Sequence, residues 1–301
     1  MTHNESGFRV IRLFLCRVKK GILLAAFGST HPEAESAFEN IEQMTKQAFP
    51  DTHVRRAYTS GVVRKALDKK GQHHDSVPMA LARMADEGFT HVDTIAGAEF
   101  HRLRSVVEGF DSMDGVFKRV RLGSPLLATP GEMKRVRDVL LKSLPEGRKS
   151  DEAVIWVGHE TYHPSNAFYP ALAYELQQKD ENVFVATLGC LGGSPRFEDV
   201  REEILEKKID KAYVAPFMSV AGTHAVRDIA GIRDHESGNA HDHDNGHDHG
   251  HDHHHHHKDP WTKRLSRAGI ETEMVLKGTG EYDKIVQIWL NRLEKAMEGL
   301  N

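Results

Sequence analysis

The sequence predicts an α/β protein with two similar lobes, each a four-stranded parallel sheet flanked by helices. Short apolar runs alternate along the chain with segments of helical period, which is the pattern of successive βα units. The polar stretch at 143–152 separates four such runs from four more, so we expect lobes at 1–147 and 148–301. The first strands of the two halves also end alike, in LLAAFGSTHPE at 23–33 and VIWVGHETYHPS at 154–165. We expect a ligand cleft between the lobes, where the carboxyl ends of the strands face each other.

The strands are predicted from the apolar runs, and the helices from residues that recur every three or four positions. Phe38, Ile41 and Met44 have this spacing behind Pro32, whose missing N–H suits the first turn of a helix. Residues 285–297 have the pattern of a closing amphipathic helix. The eight predicted strands are 21–27, 53–58, 91–96, 118–122, 153–157, 182–188, 211–217 and 271–276.

Composition excludes several classes of partner. The 301 residues are 39% hydrophobic and carry a formal charge of −4, with acids and bases interspersed, so no basic face for nucleic acid or an anionic membrane is expected. No stretch approaches the roughly 20 apolar residues of a membrane span. The two cysteines, Cys16 and Cys190, form no CxxC motif, which fits a reducing compartment. We expect a cytoplasmic protein, and a homo-oligomer remains open.

Eleven of the 21 histidines lie between residues 235 and 257, in HESGNAHDHDNGHDHGHDHHHHH. Imidazole is a good ligand for zinc, nickel, copper and cobalt, so this His-rich loop predicts metal binding by alternative ligand sets. An expression tag or a solvated spacer are the alternatives, although the run is internal and interrupted by Asp, Asn and Gly. The expected ligands in this loop include His241, His243, His247, His249, His251 and His253.

Two histidines follow strands of the C-terminal lobe, at the edge where open α/β sheets bind their ligands. His159 comes directly after its strand, and His224 follows YVAPFMSVAGT at a predicted helix start. Two imidazoles in such places can face one cavity, bind a divalent ion or accept a proton near neutral pH. The alternative is that each only caps a helix or fills a turn.

Glu99 lies just past the third strand, at the expected rim of the N-terminal lobe. A carboxylate opposite two imidazoles gives a mixed oxygen and nitrogen set that suits a borderline divalent metal. His101 is a rival in the same segment, and a capping or surface role is the alternative for Glu99. His163 is four residues from His159, but Pro164 predicts a turn there, so we expect a structural role for His163.

Common cofactor and nucleophile motifs are absent from the sequence. It contains no G-x-G-x-x-G, Walker A, G-x-S-x-G or H-E-x-x-H motif, so nothing supports ATP dependence. The glycine-bearing turns at 28–30 and 188–194 either offer backbone N–H groups to a ligand's carboxylates or are only tight βα turns.

Several long motifs occur in order across nearly the whole chain: AAFGSTHPEA, AYTSGVVRKAL, IAGAEFHRL, LGSPLL, VGHETYHPSNAFYPAL, APFMSVAGTHAVRDIAG, DPW and LKGTGE. In them the chain resembles the CbiK-type sirohydrochlorin cobaltochelatases, which belong with the class II tetrapyrrole chelatases. The resemblance implies a two-lobed chelatase that inserts a divalent metal, Co²⁺ first, into sirohydrochlorin in cobalamin biosynthesis, without ATP. His159 and His224 match the family's two active-site histidines, and Glu99 its acidic position.

The resemblance also implies a substrate site and reveals two departures. The carboxylates of the macrocycle are expected to meet backbone N–H groups near Ser29, Thr30 and Ser194. CLGGSP places Gly192 where the family tends to have the glutamate of T-V-E-G-x-P, and the His-rich loop replaces a short connection. Because both departures concern metal, a nickel or iron chelatase is an alternative, as is a non-enzymatic metal-storage protein or metallochaperone on the same scaffold.

Overall fold

Eight parallel strands form two four-stranded sheets, as the sequence predicts. A computed structural model describes residues 18–96, 100–161, 163–189, 192–232 and 259–298. The strands of the first sheet are β1 (Lys20–Ala26), β2 (His53–Tyr58), β3 (His91–Ala96) and β4 (Arg119–Leu122), in the order β2-β1-β3-β4. Those of the second are β5 (Ala153–Gly158), β6 (Val183–Thr187), β7 (Lys211–Pro216) and β8 (Glu271–Met274), in the order β6-β5-β7-β8. Each observed strand falls within a few residues of its predicted range.

The two sheets have the same topology. In each, the first strand lies between the second and the third, and the fourth pairs with the third. Parallel strands must be joined by crossovers, and here helices provide most of them. The central strands β5 and β7 are almost wholly buried, which explains their continuous apolar sequences. The α-helices are α1 (Glu35–Ala48), α2 (Gly61–Asp68), α3 (Val77–Asp86), α4 (Phe100–Asp111), α5 (Pro130–Lys142), α6 (Phe168–Gln177), α7 (Phe197–Glu206), α8 (Trp261–Arg267) and α9 (Asp283–Glu298).

Local signals explain where several helices begin. Ser60 and Ser76 cap α2 and α3 by accepting hydrogen bonds from Val63 N and Met79 N. Thr129 and Glu132 form a capping box at the start of α5. Since these groups satisfy N–H donors that the first turn leaves open, the helix starts are stabilised locally.

Helices α5 and α9 connect the two halves of the chain. Val136 and Leu140 of α5 pack in one core with Val154 and Trp156 of the second sheet. Leu293 of α9 packs with the β1 residues Ile22 and Leu24 of the first sheet. The two helices are also joined by Arg292, which donates to Glu132 and to the backbone oxygen of Ser124. The division at 147/148 stays a prediction, and apolar packing crosses it.

Loops at the carboxyl ends of the two sheets meet. Ser29 follows β1, and Gly222 follows β7; a Cβ added to Gly222 would lie 3.1 Å from Ser29 Oγ. Val220 in the same loop packs against Ala34 and Phe38 of the first half. Within the described residues, no helix is long and apolar enough to cross a membrane.

The packing of α9 on the first sheet predicts a large effect of one truncation. Leu293 is 1% exposed and contacts the cluster that contains Ile22, Leu24 and Val54. Leu293→Ala should lower the free energy of unfolding by about 2–5 kcal/mol, because it removes buried methyl groups and leaves a cavity. Leu205→Ala, at a leucine that is 44% exposed, is the control and should change it by less than about 0.5 kcal/mol. Urea denaturation measures both, and equal losses would contradict the role given to α9.

Candidate active site

His159 and His224 lie side by side at the carboxyl edge of the second sheet. Strands β5 and β7 are parallel neighbours, with Val157 opposite Pro216, so both end at this edge. His159 is the first residue after β5, and His224 is the first residue of a π-helix, His224–Ile229. The ring centroids are 4.7 Å apart and the ring planes are inclined by 75°. Two imidazoles bound to one ion have centroids within about 6.4 Å of each other, so this separation is compatible with a shared ion.

Hydrogen bonds engage the Nδ1 atoms of both imidazoles, so a metal ion held by this pair would be bound through Nε2. His159 Nδ1 lies 2.8 Å from the backbone oxygen of Glu160, and His224 Nδ1 lies 2.6 Å from Asp228 Oδ2. A carbonyl or carboxylate oxygen accepts hydrogen bonds, so each Nδ1 carries the proton. Nε2 is then the nitrogen that carries the lone pair, and hydrogen bonds of this kind orient metal-binding histidines.

The environment of His159 favours its neutral form. Burial, the largest effect, lowers the pKa of His159 because it penalises the imidazolium ion. The hydrogen bond to the Glu160 carbonyl acts in the opposite direction, and the neighbouring His224 lowers the pKa further. Because only neutral imidazole binds metal, a lowered pKa keeps His159 competent as a ligand at neutral pH.

The chain around His159 is held by a buried tyrosine. The Tyr169 hydroxyl donates a 2.6 Å hydrogen bond to the backbone oxygen of His159. Burial raises the pKa of Tyr169 to about 12, so the hydroxyl keeps its proton. The ring lies so close to β5 that a Cβ on Gly158 would be 2.2 Å from it. Gly158 is therefore required for this contact, and the contact fixes the position of His159.

Of the other predicted site residues, some lie in described loops and some lie outside the described residues. Ser29 and Thr30 are partly exposed at the loop that touches Gly222, two residues before His224. Ser194 is exposed in the loop after β6. His163 Nδ1 accepts a hydrogen bond from Ser165 N and caps a short 3₁₀ helix, in agreement with a structural role. Glu99, the side chain of His101, and the predicted ligands of the His-rich loop lie outside the described residues.

Two acidic residues of this region are absent from the sequence-based prediction. Asp228 follows His224 by four residues, a spacing that brings side chains together on one face of a helix and could have revealed the pair. Glu160 is 2% exposed, although sequence patterns predict that acidic residues lie at the surface. In the part of the chain that the structure describes, no three His, Cys, Asp or Glu side chains converge as a metal-ligand set. The observed centre is thus a pair of imidazoles.

The two-sheet architecture is that of solved tetrapyrrole chelatases. SirB from Bacillus subtilis with Fe³⁺ superposes with a TM-score of 0.59 and 13% identity, covering 92% of this chain and 95% of SirB. SirB from Bacillus subtilis subspecies spizizenii in complex with cobalt gives 0.54 and 12%, covering 93% and 96%. At these identities the likeness shows the fold alone.

The sequence itself identifies the family. The family model described as cobalt chelatase (CbiK) matches residues 20–248. The chain is 37% identical over 288 residues to sirohydrochlorin cobaltochelatase CbiKC of Nitratidesulfovibrio vulgaris, covering 94% of this chain and 92% of the relative. It is 26% identical over 287 residues to the sirohydrochlorin cobaltochelatase of Salmonella typhimurium, covering 93% and 97%. The chain belongs to the CbiK cobalt chelatase family, which confirms the resemblance of its motifs.

The burial of His159 predicts a measurable pH dependence. A titration of the His159 ring followed by NMR should have its midpoint below pH 6.5, the ordinary value for histidine. Because the unfolded chain binds this proton more tightly than the folded one, the contribution of His159 to stability is present above pH 6.5 and is lost as the pH falls from there through the folded pKa. A midpoint at or above 6.5 would contradict the burial argument.

Proposed function

We propose that this chain inserts a divalent metal ion, Co²⁺ first, into sirohydrochlorin without consuming ATP. The single observation that carries the proposal is the pairing of the His159 and His224 rings at 4.7 Å, with Nδ1 of each engaged in a hydrogen bond. Membership of the CbiK family and the names of both curated relatives support the same substrate and metal. The proposed place is cobalamin biosynthesis.

In the proposed reaction, the ion exchanges bound water for the two Nε2 atoms and then for the four nitrogens of the macrocycle. The macrocycle lies in the cleft between the lobes and loses two pyrrole N–H protons as the four metal–nitrogen bonds form, so the products are the metal complex and two protons. Each imidazole, once it has released the ion, has a lone pair for one of these protons. The burial that lowers the pKa of His159 favours release of such a proton to water.

Further groups are assigned to the site as part of the proposal. Glu99 holds the cation or accepts a proton from the side of the N-terminal lobe. The substrate's carboxylates bind near Ser29, Thr30 and Ser194, and the contact between the loops at Ser29 and Gly222 supports a position close to His224. The metal ion and the macrocycle are the two substrates, so the proposed reaction needs no further cofactor.

The His-rich loop 235–257 is assigned a role in metal delivery. Its eleven imidazoles raise the local ion concentration without a fixed geometry, as a tethered ligand raises effective concentration. Residue 232 closely follows the π-helix that begins with His224, so the loop is attached near the proposed site.

Replacement of either imidazole should abolish insertion and leave the fold intact. His159→Ala and His224→Ala should each lower the rate at least about 100-fold, since each removes a ligand and a proton acceptor. His73→Ala is the matched control, because its side chain is 81% exposed. The change in absorbance of sirohydrochlorin measures the rate with Co²⁺, Ni²⁺ and Fe²⁺ in parallel. Wild-type rates in both variants would overturn the site, and tight metal binding without spectral change would indicate storage.

Deletion of residues 235–257 should leave turnover unchanged at saturating metal and lower it when metal is scarce. A delivery role requires imidazole and not only length, so a loop of the same length with its histidines replaced by asparagine should behave like the deletion. Rates at buffered free Co²⁺ concentrations measure both variants. Equal losses at high and low metal would contradict delivery.

A further inference from the structure

Glu160 is a buried acid next to the imidazole pair. The reaction proposed above gives this acid no role. Glu160 follows His159 directly and is 2% exposed. Burying a carboxylate costs free energy, because the protein replaces its water only in part. A buried acid that directly follows a proposed metal ligand is a candidate for function, because a charge acts strongly at low dielectric.

Gly193, after β6, lies against Glu160, and its lack of a side chain makes room for the acid. A Cβ added to Gly193 would lie 2.7 Å from Glu160 Cβ and 2.8 Å from Thr187 Oγ1. Thr187 is fully buried at the end of β6. Its backbone N–H donates a hydrogen bond to the backbone oxygen of Pro195, which follows Gly193 by two residues. Glu160 is therefore enclosed between the ends of β5 and β6, and any side chain at 193 would displace it.

The field of the Glu160 carboxylate reaches the groups that hold the site. Burial dominates the pKa of both His159 and Tyr169, lowering the first and raising the second. In both cases the charge of Glu160 acts to raise the pKa. Glu160 therefore lies close enough to act on both groups electrostatically, although no set of three ligands converges among the described residues.

We propose that Glu160 is a positioning residue of the dihistidine site: its enclosed carboxylate supplies negative charge that favours a divalent ion on His159 and His224, without binding the ion itself. This inference rests on the proposed function and concerns metal binding, not recognition of the macrocycle. Loss of the Glu160 charge should therefore change the KM for the metal ion and leave the KM for the macrocycle unchanged.

The test measures the KM for Co²⁺ and the KM for sirohydrochlorin separately in the full-length chain, with free Co²⁺ fixed by a chelator buffer. Glu160→Gln keeps the shape and removes the charge, so the KM for Co²⁺ should rise roughly 10-fold or more, as for other groups that support metal ligands. The KM for sirohydrochlorin should not change. Glu160→Asp keeps the charge on a shorter side chain and should raise the KM for Co²⁺ less than Glu160→Gln does.

The control is Glu152→Gln, because Glu152 is 8% exposed just before the opposite end of β5 and accepts a hydrogen bond from Lys149 N. It should leave both KM values unchanged. If Glu160→Gln does not fold, Glu160→Met tests the same loss of charge without a buried amide and should give the same rise. A wild-type KM for Co²⁺ in the uncharged variant, or a larger rise in Glu160→Asp, would overturn the proposal in favour of a packing role.

Failure of the proposed function can be told apart from failure of this inference. If the wild-type chain does not insert Co²⁺, the function is wrong, and equilibrium binding still tests Glu160. Co²⁺ binding is measured at fixed free Co²⁺ for wild type and for the His159→Ala/His224→Ala double variant. The difference between the two is the Co²⁺ bound at the dihistidine site. Loss of this difference in Glu160→Gln supports the role of the charge, and its retention contradicts it.

Discussion

Parallel pairing of β5 with β7 is the constraint on which the site depends. Because both strands run in the same direction and are hydrogen-bonded neighbours, the residues that follow them emerge at one edge of the sheet. His159 and His224 are 65 positions apart in the sequence, yet their rings are in edge-to-face contact. The sheet itself therefore brings the two proposed ligands together.

Rigid surroundings keep this pair in place. Tyr169 holds the backbone of His159, and Asp228 holds the ring of His224 from within the same π-helix. π-Helices are rare and are frequently found at functional sites. Behind the sheet, α5 and α9 join the two halves through a common apolar core and the Arg292–Glu132 ion pair. Two ligands of a shared ion require such preorganisation, because small displacements would separate their nitrogens.

The sequence was sufficient for the fold because parallel strands buried on both faces read as continuous apolar runs. The strands predicted at 53–58 and 118–122 are also observed, although both ranges contain several charged side chains. His159 and His224 could be predicted from their places after strands. The burial of Glu160 could not, because it depends on the glycine at 193 and on the chain path after β6. The packing partners of α5 and α9 could not be predicted either, because an apolar helix face does not identify the sheet against which it packs.

The central claim is that one ion binds both imidazoles of the second lobe. A crystal structure of the full-length protein with Co²⁺, with the ion located by anomalous scattering at the cobalt edge, tests it most directly. The account predicts one cobalt peak with Nε2 of His159 and Nε2 of His224 each at about 2.1 Å. Cobalt held elsewhere, or bound by one ring while the other turns away, would contradict it.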